Sequence, residues 1–310
     1  MKAITYTTYG DDPAILELTD VAEPKIGPDW VKVQVKATSV NPVDWKLATG
    51  GMDGMLDVYL PVTPGWDVAG VVEAVGPSVT TLEPGDEVFG YVRKDAVSGG
   101  TYAEKVSAPI RTVAKKPSNA SFAEAAAIPL AGLTAFQCLV HALDVGKDDT
   151  VLIHGASGGV GSFAVQIAKS LGARVLGTAS EANHDYLREL GAEPFTYGEG
   201  LVERVREAIP DGVTAVLDLN GGDLEVSPDL LADSSKGRLV SIIDPVVKEM
   251  GGQYVFVSPD VDDLDELAAM FDDGTLKVEI AETYALADAA KAWGQSQSGH
   301  TRGKLVITID

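Results

Sequence analysis

Apolar and polar residues alternate with a period of two in short runs through the first part of the chain. These runs predict strands over Lys2–Thr7, Val31–Thr38, Asp67–Val75, Glu87–Gly90 and Tyr102–Val106. Turns rich in glycine and proline separate the runs. Many short strands joined by tight turns predict a compact, barrel-like domain.

From Ser121 onward the hydrophobic period becomes helical. Ser121 and Glu124 match a capping box, which predicts that a helix begins here. Strands and helices then alternate, as in a doubly wound parallel sheet. The predicted helices cover Ala123–Ile128, Gly132–Ala142, Gly159–Leu171, His184–Leu190, Leu201–Ile209 and Asp262–Phe271, and the predicted strands cover Val151–His154, Arg174–Thr178, Ala215–Leu219, Arg238–Ile243 and Tyr254–Val257.

The last segment reverts to short strands. Strands are predicted over Lys277–Glu282 and Lys304–Ile309, with a helix over Ala287–Gln295 between them. This pattern favours a return of the tail to the first domain over an extension of the parallel sheet. We therefore expect one domain formed by residues 1–122 and 272–310, and a second formed by residues 123–271.

A glycine-rich turn follows the first strand of the predicted parallel sheet. Read as Ala156-x-Gly158-x-x-Gly161, it matches a dinucleotide fingerprint with alanine in the first position. Small residues let backbone N–H groups approach a pyrophosphate, and the positive end of the following helix faces the anion. A second apolar strand after Gly172 supplies the βαβ context that the motif needs. A dinucleotide site is therefore favoured over a purely structural turn.

Charge and composition narrow the possible partners. The 310 residues carry 24 Lys and Arg against 46 Asp and Glu, a net charge of −22 that disfavours nucleic acid. The acids are scattered, which suggests a strongly solvated surface suited to a high-salt environment. No apolar run approaches a membrane span, and no signal peptide is apparent, so a cytoplasmic location is expected. The one cysteine, Cys138, is expected in the core.

Several motifs together resemble the medium-chain dehydrogenase/reductase superfamily. They are the run from Asn41 to Lys46, the run from Pro64 to Gly70, the run from Glu83 to Val88, the segment Ala126–Thr134 and the glycine-rich turn. The resemblance covers essentially the whole chain and is greatest to the zinc-free quinone oxidoreductase and enone or alkenal reductase branch. It implies a GroES-like β-barrel domain joined to a Rossmann-type doubly wound domain.

The chain departs from the zinc alcohol dehydrogenases of that superfamily at its metal ligands. Trp66 stands where those enzymes carry a histidine ligand, and Cys138 is the single cysteine. A catalytic zinc needs three ligands of the Cys, His or carboxylate type, so we expect no metal. Without a Lewis acid, a quinone or α,β-unsaturated carbonyl is easier to reduce than an isolated ketone, since conjugation delocalises the developing charge.

The resemblance implies two groups of site residues. Asn41, Asp44 and Lys46 are the expected catalytic groups, with Lys46 polarising the acceptor oxygen. A turn at Asn41 and a local ion pair between Asp44 and Lys46 are the alternatives. The expected cofactor contacts are Thr134, Ala156, Gly158, Gly159, Val160, Ser180, His184, Tyr197, Asn220, Ile243, Phe256 and Arg302. Trp66 is interpreted as core or cleft wall, and Arg302 could equally be a surface residue.

The loop after the second strand bears on the choice between NADPH and NADH. Ser180 and His184 occupy positions that bind the 2′-phosphate in the family, and Tyr197 packs nearby. Glu181 is opposing evidence, because an acid there binds a ribose 2′-hydroxyl and repels a phosphate. NADPH is favoured, and a helix-start role without a ligand is the alternative for His184.

We therefore expect an NADPH-dependent oxidoreductase that transfers a hydride to a quinone or an α,β-unsaturated carbonyl. A zinc-independent alcohol or enoyl reductase is the alternative enzyme, and an NADPH-binding protein without turnover is the alternative from another class. The apolar strand predicted over Tyr254–Val257 would be a sheet edge, which suggests an edge-to-edge homodimer.

Overall fold

A computed structural model describes all residues, Met1–Asp310. It contains seventeen strands. These are β1 (Lys2–Thr5), β2 (Glu17–Asp20), β3 (Trp30–Val40), β4 (Asp57–Thr63), β5 (Asp67–Val75), β6 (Glu87–Tyr91), β7 (Ala96–Gly99), β8 (Lys105–Pro109), β9 (Val113–Lys115), β10 (Thr150–His154), β11 (Arg174–Ala179), β12 (Glu193–Thr196), β13 (Ala215–Asp218), β14 (Leu239–Ser241), β15 (Gln253–Tyr254), β16 (Ile280–Ala285) and β17 (Lys304–Thr308).

The α-helices are nine in number, and none combines the length and the apolar character that a membrane-crossing helix needs. They are α1 (Pro42–Ala48), α2 (Phe122–Ala127), α3 (Pro129–Phe136), α4 (Gly159–Ser170), α5 (His184–Leu190), α6 (Leu201–Ala208), α7 (Ser227–Leu230), α8 (Val261–Asp272) and α9 (Ala289–Gln297). A π-helical segment, Gln137–Ala142, continues α3.

The chain forms two compact units. Unit 1 comprises Met1–Leu130, Pro259–Gly274 and Val278–Asp310, and unit 2 comprises Ala131–Ser258 and Thr275–Lys277. Helices α2 and α8 thus belong to unit 1, although the sequence-based domain ranges place both in the second domain. Both have an apolar face, and apolar periodicity alone does not reveal which sheet a helix covers.

Unit 1 is built on a seven-stranded sheet in the order β16-β17-β3-β5-β6-β9, with β8 also paired to β3. Strand β3 shows why alternation predicted this sheet: Val31, Val33 and Val35 are buried, while the residues between them are not. The returning tail is confirmed, because β17 pairs antiparallel with β3.

Unit 2 contains a six-stranded, all-parallel sheet in the order β12-β11-β10-β13-β14-β15. Numbered along the chain, this is the order 3-2-1-4-5-6 of a doubly wound dinucleotide-binding fold. The expected fold class is therefore confirmed. The strand order reverses between β10 and β13, and ligands of such sheets bind beyond the carboxyl ends of the strands at this point.

Three predicted strands differ most from the observed ones. The segment expected over Tyr102–Val106 begins at Lys105, because the N–H of Tyr102 bonds to the carbonyl of Pro64 outside the main ladder. The tail strand expected over Lys277–Glu282 begins three residues later, as β16 (Ile280–Ala285). Lys277 lies outside it because its N–H donates to the side chain of Gln166 rather than to a neighbouring strand.

The third is the edge strand expected over Tyr254–Val257, which is reduced to Gln253–Tyr254. Beyond it, the amide of Gln137 replaces a neighbouring strand. Its Oε1 accepts from the N–H of Ser258 at 3.0 Å, and its Nε2 donates to the carbonyl of Ser258 at 2.9 Å. A side chain distant in sequence therefore ends the strand, and the local sequence pattern could not predict this end.

Candidate functional site: a glycine turn in unit 2 and a buried polar cluster in unit 1

The glycine-rich turn of unit 2 connects β10 to α4. Gly155 has a φ of +71°, which is the left-handed region that glycine tolerates best. A Cβ atom at Gly161 would lie 2.3 Å from the carbonyl oxygen of Gly155, so only glycine allows this approach of helix to turn. Gly155 and Gly158 lie in the turn itself, Gly159 and Gly161 lie in the first residues of α4, and the methyl group of Ala156 is fully buried.

The N-terminus of α4 has no side-chain cap. The N–H groups of Gly159, Val160 and Gly161 therefore have no acceptor within the helix. With the positive end of the helix dipole, they form a site for an anion. The absence of a cap and of bulky side chains fits the pyrophosphate of a nicotinamide dinucleotide.

The expected adenosine-end residues lie after β11 and β12. Ser180 directly follows β11 and His184 begins α5; both are half-buried, whereas Tyr197 is 52% exposed. Asn183, which no sequence motif singles out, donates from its Nδ2 to Ser157 Oγ at 3.4 Å and to Ser180 Oγ at 3.3 Å. Glu181 is exposed beside this group.

Three of the remaining cofactor candidates of unit 2 lie after other strands of the parallel sheet, and Thr134 lies before its first strand. Asn220 and Ile243 are exposed beyond β13 and β14. Thr134 is buried in α3, and Phe256 is half-buried after β15. Arg302 belongs to unit 1, where its guanidinium pairs with Glu279 at 2.9 Å.

Two buried carboxylates support the loops that carry several of these residues, and neither is among the site residues expected from the sequence. Asp218 Oδ1 accepts from the backbone N–H groups of Asn220 and Gly221, while its Oδ2 accepts from Ser241 Oγ at 2.6 Å. Asp223 Oδ1 accepts from the N–H of Gly198 at 3.1 Å. The position of Asp218 at the end of a buried strand could have signalled it.

The expected catalytic residues of unit 1 occupy two environments. Lys46 is exposed on α1, with its ammonium 5.8 Å from the centre of the Trp45 ring. Asn41 and Asp44 are buried, with 2% and 1% of their surface exposed. Asp44 Oδ2 accepts from the N–H of Asn41 at 2.9 Å and from the hydroxyl of Tyr102 at 3.0 Å. Asp44 is thus a helix-capping group rather than the partner of Lys46.

Asn41 belongs to a buried polar cluster. Its Nδ2 donates to Asp67 Oδ2 at 2.8 Å, and its Oδ1 accepts from Lys304 Nζ at 2.5 Å. Asp67 also accepts from Ser39 Oγ and from the N–H of Leu130. The side-chain amide of Asn41 is therefore committed to protein groups. Neither Asp67 nor Lys304 is among the site residues expected from the sequence.

Burial perturbs the ionisable members of this cluster. It raises the pKa of Asp44 to about 7 and raises the pKa of Asp67 above its ordinary value. Burial also lowers the pKa of Lys304, against the opposing effect of Asp67, whose Oδ2 lies 4.0 Å from Nζ. A buried charge needs a partner, so each of these groups depends on the others.

No group of three or more His, Cys, Asp or Glu side chains is arranged to hold a metal ion. Trp66 is 6% exposed and packs edge-on against Tyr91, with ring centres 5.9 Å apart. Its indole N–H is a donor only and offers no lone pair to a metal. The expectation that Trp66 is a core or wall residue fits this position.

Comparison with known proteins identifies the family. A family model described as "Alcohol dehydrogenase GroES-like domain" matches residues 27–118, and one described as "Zinc-binding dehydrogenase" matches residues 190–307. The chain is 31% identical to the chloroplast envelope quinone oxidoreductase homolog of Arabidopsis thaliana, over 99% of this chain and 98% of the relative. The chain belongs to the medium-chain dehydrogenase/reductase superfamily, in its quinone oxidoreductase branch.

Two further comparisons agree with this family. The chain is 32% identical to the NADPH-dependent alkenal/one oxidoreductase of Arabidopsis thaliana, over 99% of this chain and 79% of the relative. The quinone oxidoreductase structure from Coxiella burnetii superposes with a TM-score of 0.88 at 34% identity, covering 100% of this chain and 99% of that one. The resemblance inferred from the sequence motifs is therefore confirmed.

Proposed function

We propose that this superfamily member is an NADPH-dependent oxidoreductase that reduces quinones or α,β-unsaturated carbonyls. The observation that carries the proposal is the uncapped glycine turn of α4, within a chain whose relatives are named quinone oxidoreductase and alkenal/one oxidoreductase. When bound, the reduced nicotinamide supplies a hydride, and the acceptor gains two electrons and then a proton from water. The backbone of Gly159 and Val160 binds the pyrophosphate.

The proposed contacts to the cofactor are those derived from the sequence. They are Thr134, Ala156, Gly158, Gly159, Val160, Ser180, His184, Tyr197, Asn220, Ile243, Phe256 and Arg302. NADPH is favoured over NADH because Ser180, Asn183 and Ser157 place hydroxyl and amide groups together, as a 2′-phosphate requires. The acidic side chain of Glu181 weakens this preference without reversing it.

In unit 1 we propose that Lys46 binds the acceptor oxygen. Its exposed ammonium is a compact charge that stabilises the negative charge developing there. Asn41 and Asp44 hold the start of α1 and so position Lys46, two residues after Asp44. We further propose that no metal takes part, which rests on Trp66 at the position of a histidine ligand and on the commitment of Asp67 to protein donors.

Mixing the protein with NADPH and either a simple quinone or an enone, in the presence of a strong chelator, tests this function. Oxidation of NADPH that depends on the acceptor and survives chelation is the expected result. Cofactor binding without oxidation of any conjugated acceptor would instead identify a binding protein, and activity that disappears on chelation would contradict the metal-free mechanism.

Two properties of the surface are also proposed. β15 forms one edge of the parallel sheet, and pairing of this edge with a second copy would give a homodimer. Light scattering that finds only monomer would reject it. The net charge of −22 suggests a protein stabilised by salt, and an unfolding midpoint indifferent to salt would reject that.

A further inference from the structure

A buried histidine lies directly beneath the glycine turn of unit 2. His154 is the last residue of β10, and none of its surface is exposed. The next residue, Gly155, donates its N–H to Thr178 Oγ1 at 3.2 Å. Thr178 Oγ1 in turn lies 3.5 Å from Nδ1 of His154. The imidazole therefore contacts the hydroxyl that fixes the first residue of the turn.

The hydrogen bonds on the other side of the ring determine its tautomer. Nε2 of His154 lies 3.1 Å from Ser227 Oγ. The hydroxyl of Ser227 donates its single proton to the carbonyl oxygen of Asp223 at 2.9 Å. Ser227 must therefore accept from the ring, so Nε2 carries the proton and Nδ1 is free to accept from Thr178.

Two carboxylates face this ring from the neighbouring strand and loop. Asp223 Oδ2 lies 3.8 Å from Nδ1, and Asp218 ends the adjacent strand β13. Burial lowers the pKa of His154, although the charges of Asp218 and Asp223 oppose this change. The ring is therefore neutral at pH 7, in agreement with the tautomer that its partners require.

The same groups hold three loops that carry proposed cofactor contacts. Thr178 fixes Gly155 next to Ala156, Asp223 fixes Gly198 next to Tyr197, and Asp218 fixes Asn220 itself. All these loops follow the carboxyl ends of parallel strands. His154 is the side chain that links the first of these loops to the helix α7 and, through Ser227, to Asp223.

We propose that His154, as its neutral Nε2–H tautomer, is a positioning residue for the nicotinamide cofactor. It sets the conformation of the glycine turn through Thr178 and joins that turn to the Asp223 loop through Ser227. It contacts neither the cofactor nor the acceptor, so its loss weakens cofactor binding and leaves the hydride step unchanged. This inference rests on the proposed cofactor function.

The matched variants are His154→Phe, which removes both ring nitrogens, and His154→Gln, whose amide can still donate to Ser227. For His154→Phe we expect Kd and KM for NADPH to rise about tenfold, as for one lost buried hydrogen bond, with kcat within about twofold of wild type. His154→Gln should recover most of the affinity. His141→Phe, at an exposed position of the π-helical segment, is the control.

The nitrogen chemical shifts of the imidazole in the wild-type protein test the tautomer without any variant. We expect protonated Nε2 and unprotonated Nδ1 at pH 7. The inference is wrong if Nδ1 carries the proton, or if His154→Phe folds and binds NADPH with wild-type affinity. Either result would overturn the inference about His154 alone, and the proposed function would still be supported if the wild type binds NADPH. Failure of the wild type to bind any pyridine nucleotide would overturn both.

Discussion

The glycine turn of unit 2 and the polar cluster of unit 1 differ in the groups that form them. The turn binds through backbone N–H groups and requires small side chains, with Gly161 allowing helix α4 to approach Gly155. The cluster consists of charged and amide side chains, chiefly Asn41, Asp67 and Lys304, which satisfy one another away from solvent. A backbone site depends on shape, whereas a buried charged cluster depends on every member being present.

The largest expected effect is on the polar cluster. Lys304→Met leaves Asp67 and Asn41 without their cationic partner, and should lower the free energy of unfolding by about 3–5 kcal/mol. Denaturant unfolding measures this. Lys2→Met, which removes an exposed pair with Asp20, is the control and should cost less than about 1 kcal/mol. Equal losses of stability in the two variants would show that Asp67 and Asn41 do not depend on Lys304.

The next effect is on the turn. Gly161→Ala places a Cβ atom against the backbone of Gly155 and Ala156, so helix and turn must separate. We expect Kd for NADPH to rise at least about tenfold, with a loss of about 1–3 kcal/mol in stability. Gly146→Ala is the control, because its Cβ would meet nothing within 4 Å. Wild-type cofactor affinity in Gly161→Ala would remove the turn from the site.

A comparable effect is expected at the opposite end of the parallel sheet, in a pair remote from the turn. In unit 2, the guanidinium of Arg238 donates to the carboxylate of Asp149. This hydrogen bond is the main reason that the pKa of Asp149 is lowered to about 2. Arg238→Met should cost about 1–3 kcal/mol of stability near neutral pH.

The pH dependence of this pair has a definite sign. The folded-state pKa of Asp149 lies below its unfolded value, so the stabilisation is present above about pH 4 and is lost as pH falls towards 2. Unfolding curves of wild type and Arg238→Met should therefore converge at low pH. A difference that persists unchanged at pH 2 would contradict the assignment.

A smaller effect is expected for Lys46→Ala. Loss of the charge proposed to bind the acceptor oxygen should lower kcat about tenfold, with KM for NADPH unchanged. Steady-state kinetics with the enone measure both constants. Lys36→Ala, in strand β3 of the same unit, serves as the control. Unchanged kcat in Lys46→Ala would remove this residue from the mechanism.

The smallest effect is expected at Glu181. Its exposed carboxylate opposes a 2′-phosphate, so Glu181→Gln should tighten NADPH binding about two- to fivefold at low salt and leave NADH nearly unaffected. Titrations with both cofactors measure the ratio. The NADPH preference is wrong if the wild type binds NADH more tightly than NADPH.

The same contrast explains what the sequence could predict. The strand, turn and helix of the nucleotide site follow from local periodicity and glycine spacing, and α5 was predicted to the residue as His184–Leu190. Asp67 and Lys304 are 237 positions apart, and only the pairing of β17 with β3 brings Lys304 to Asn41. The resemblance to the family implies catalytic roles for Asn41 and Asp44, but their burial among Tyr102, Asp67 and Lys304 depends on strand pairing that no local pattern shows.

Transfer of isotope from labelled cofactor to acceptor tests the central claim most directly. The protein is incubated with NADPH carrying deuterium at C4 of the nicotinamide, an α,β-unsaturated ketone and a strong chelator. Separate reactions use each of the two C4 diastereomers of the labelled cofactor. We expect one diastereomer to deliver a single deuterium to a carbon atom of the product, at the same rate with the chelator as without it. Absence of label from the product with both diastereomers, or transfer that requires a restored metal ion, would contradict the account.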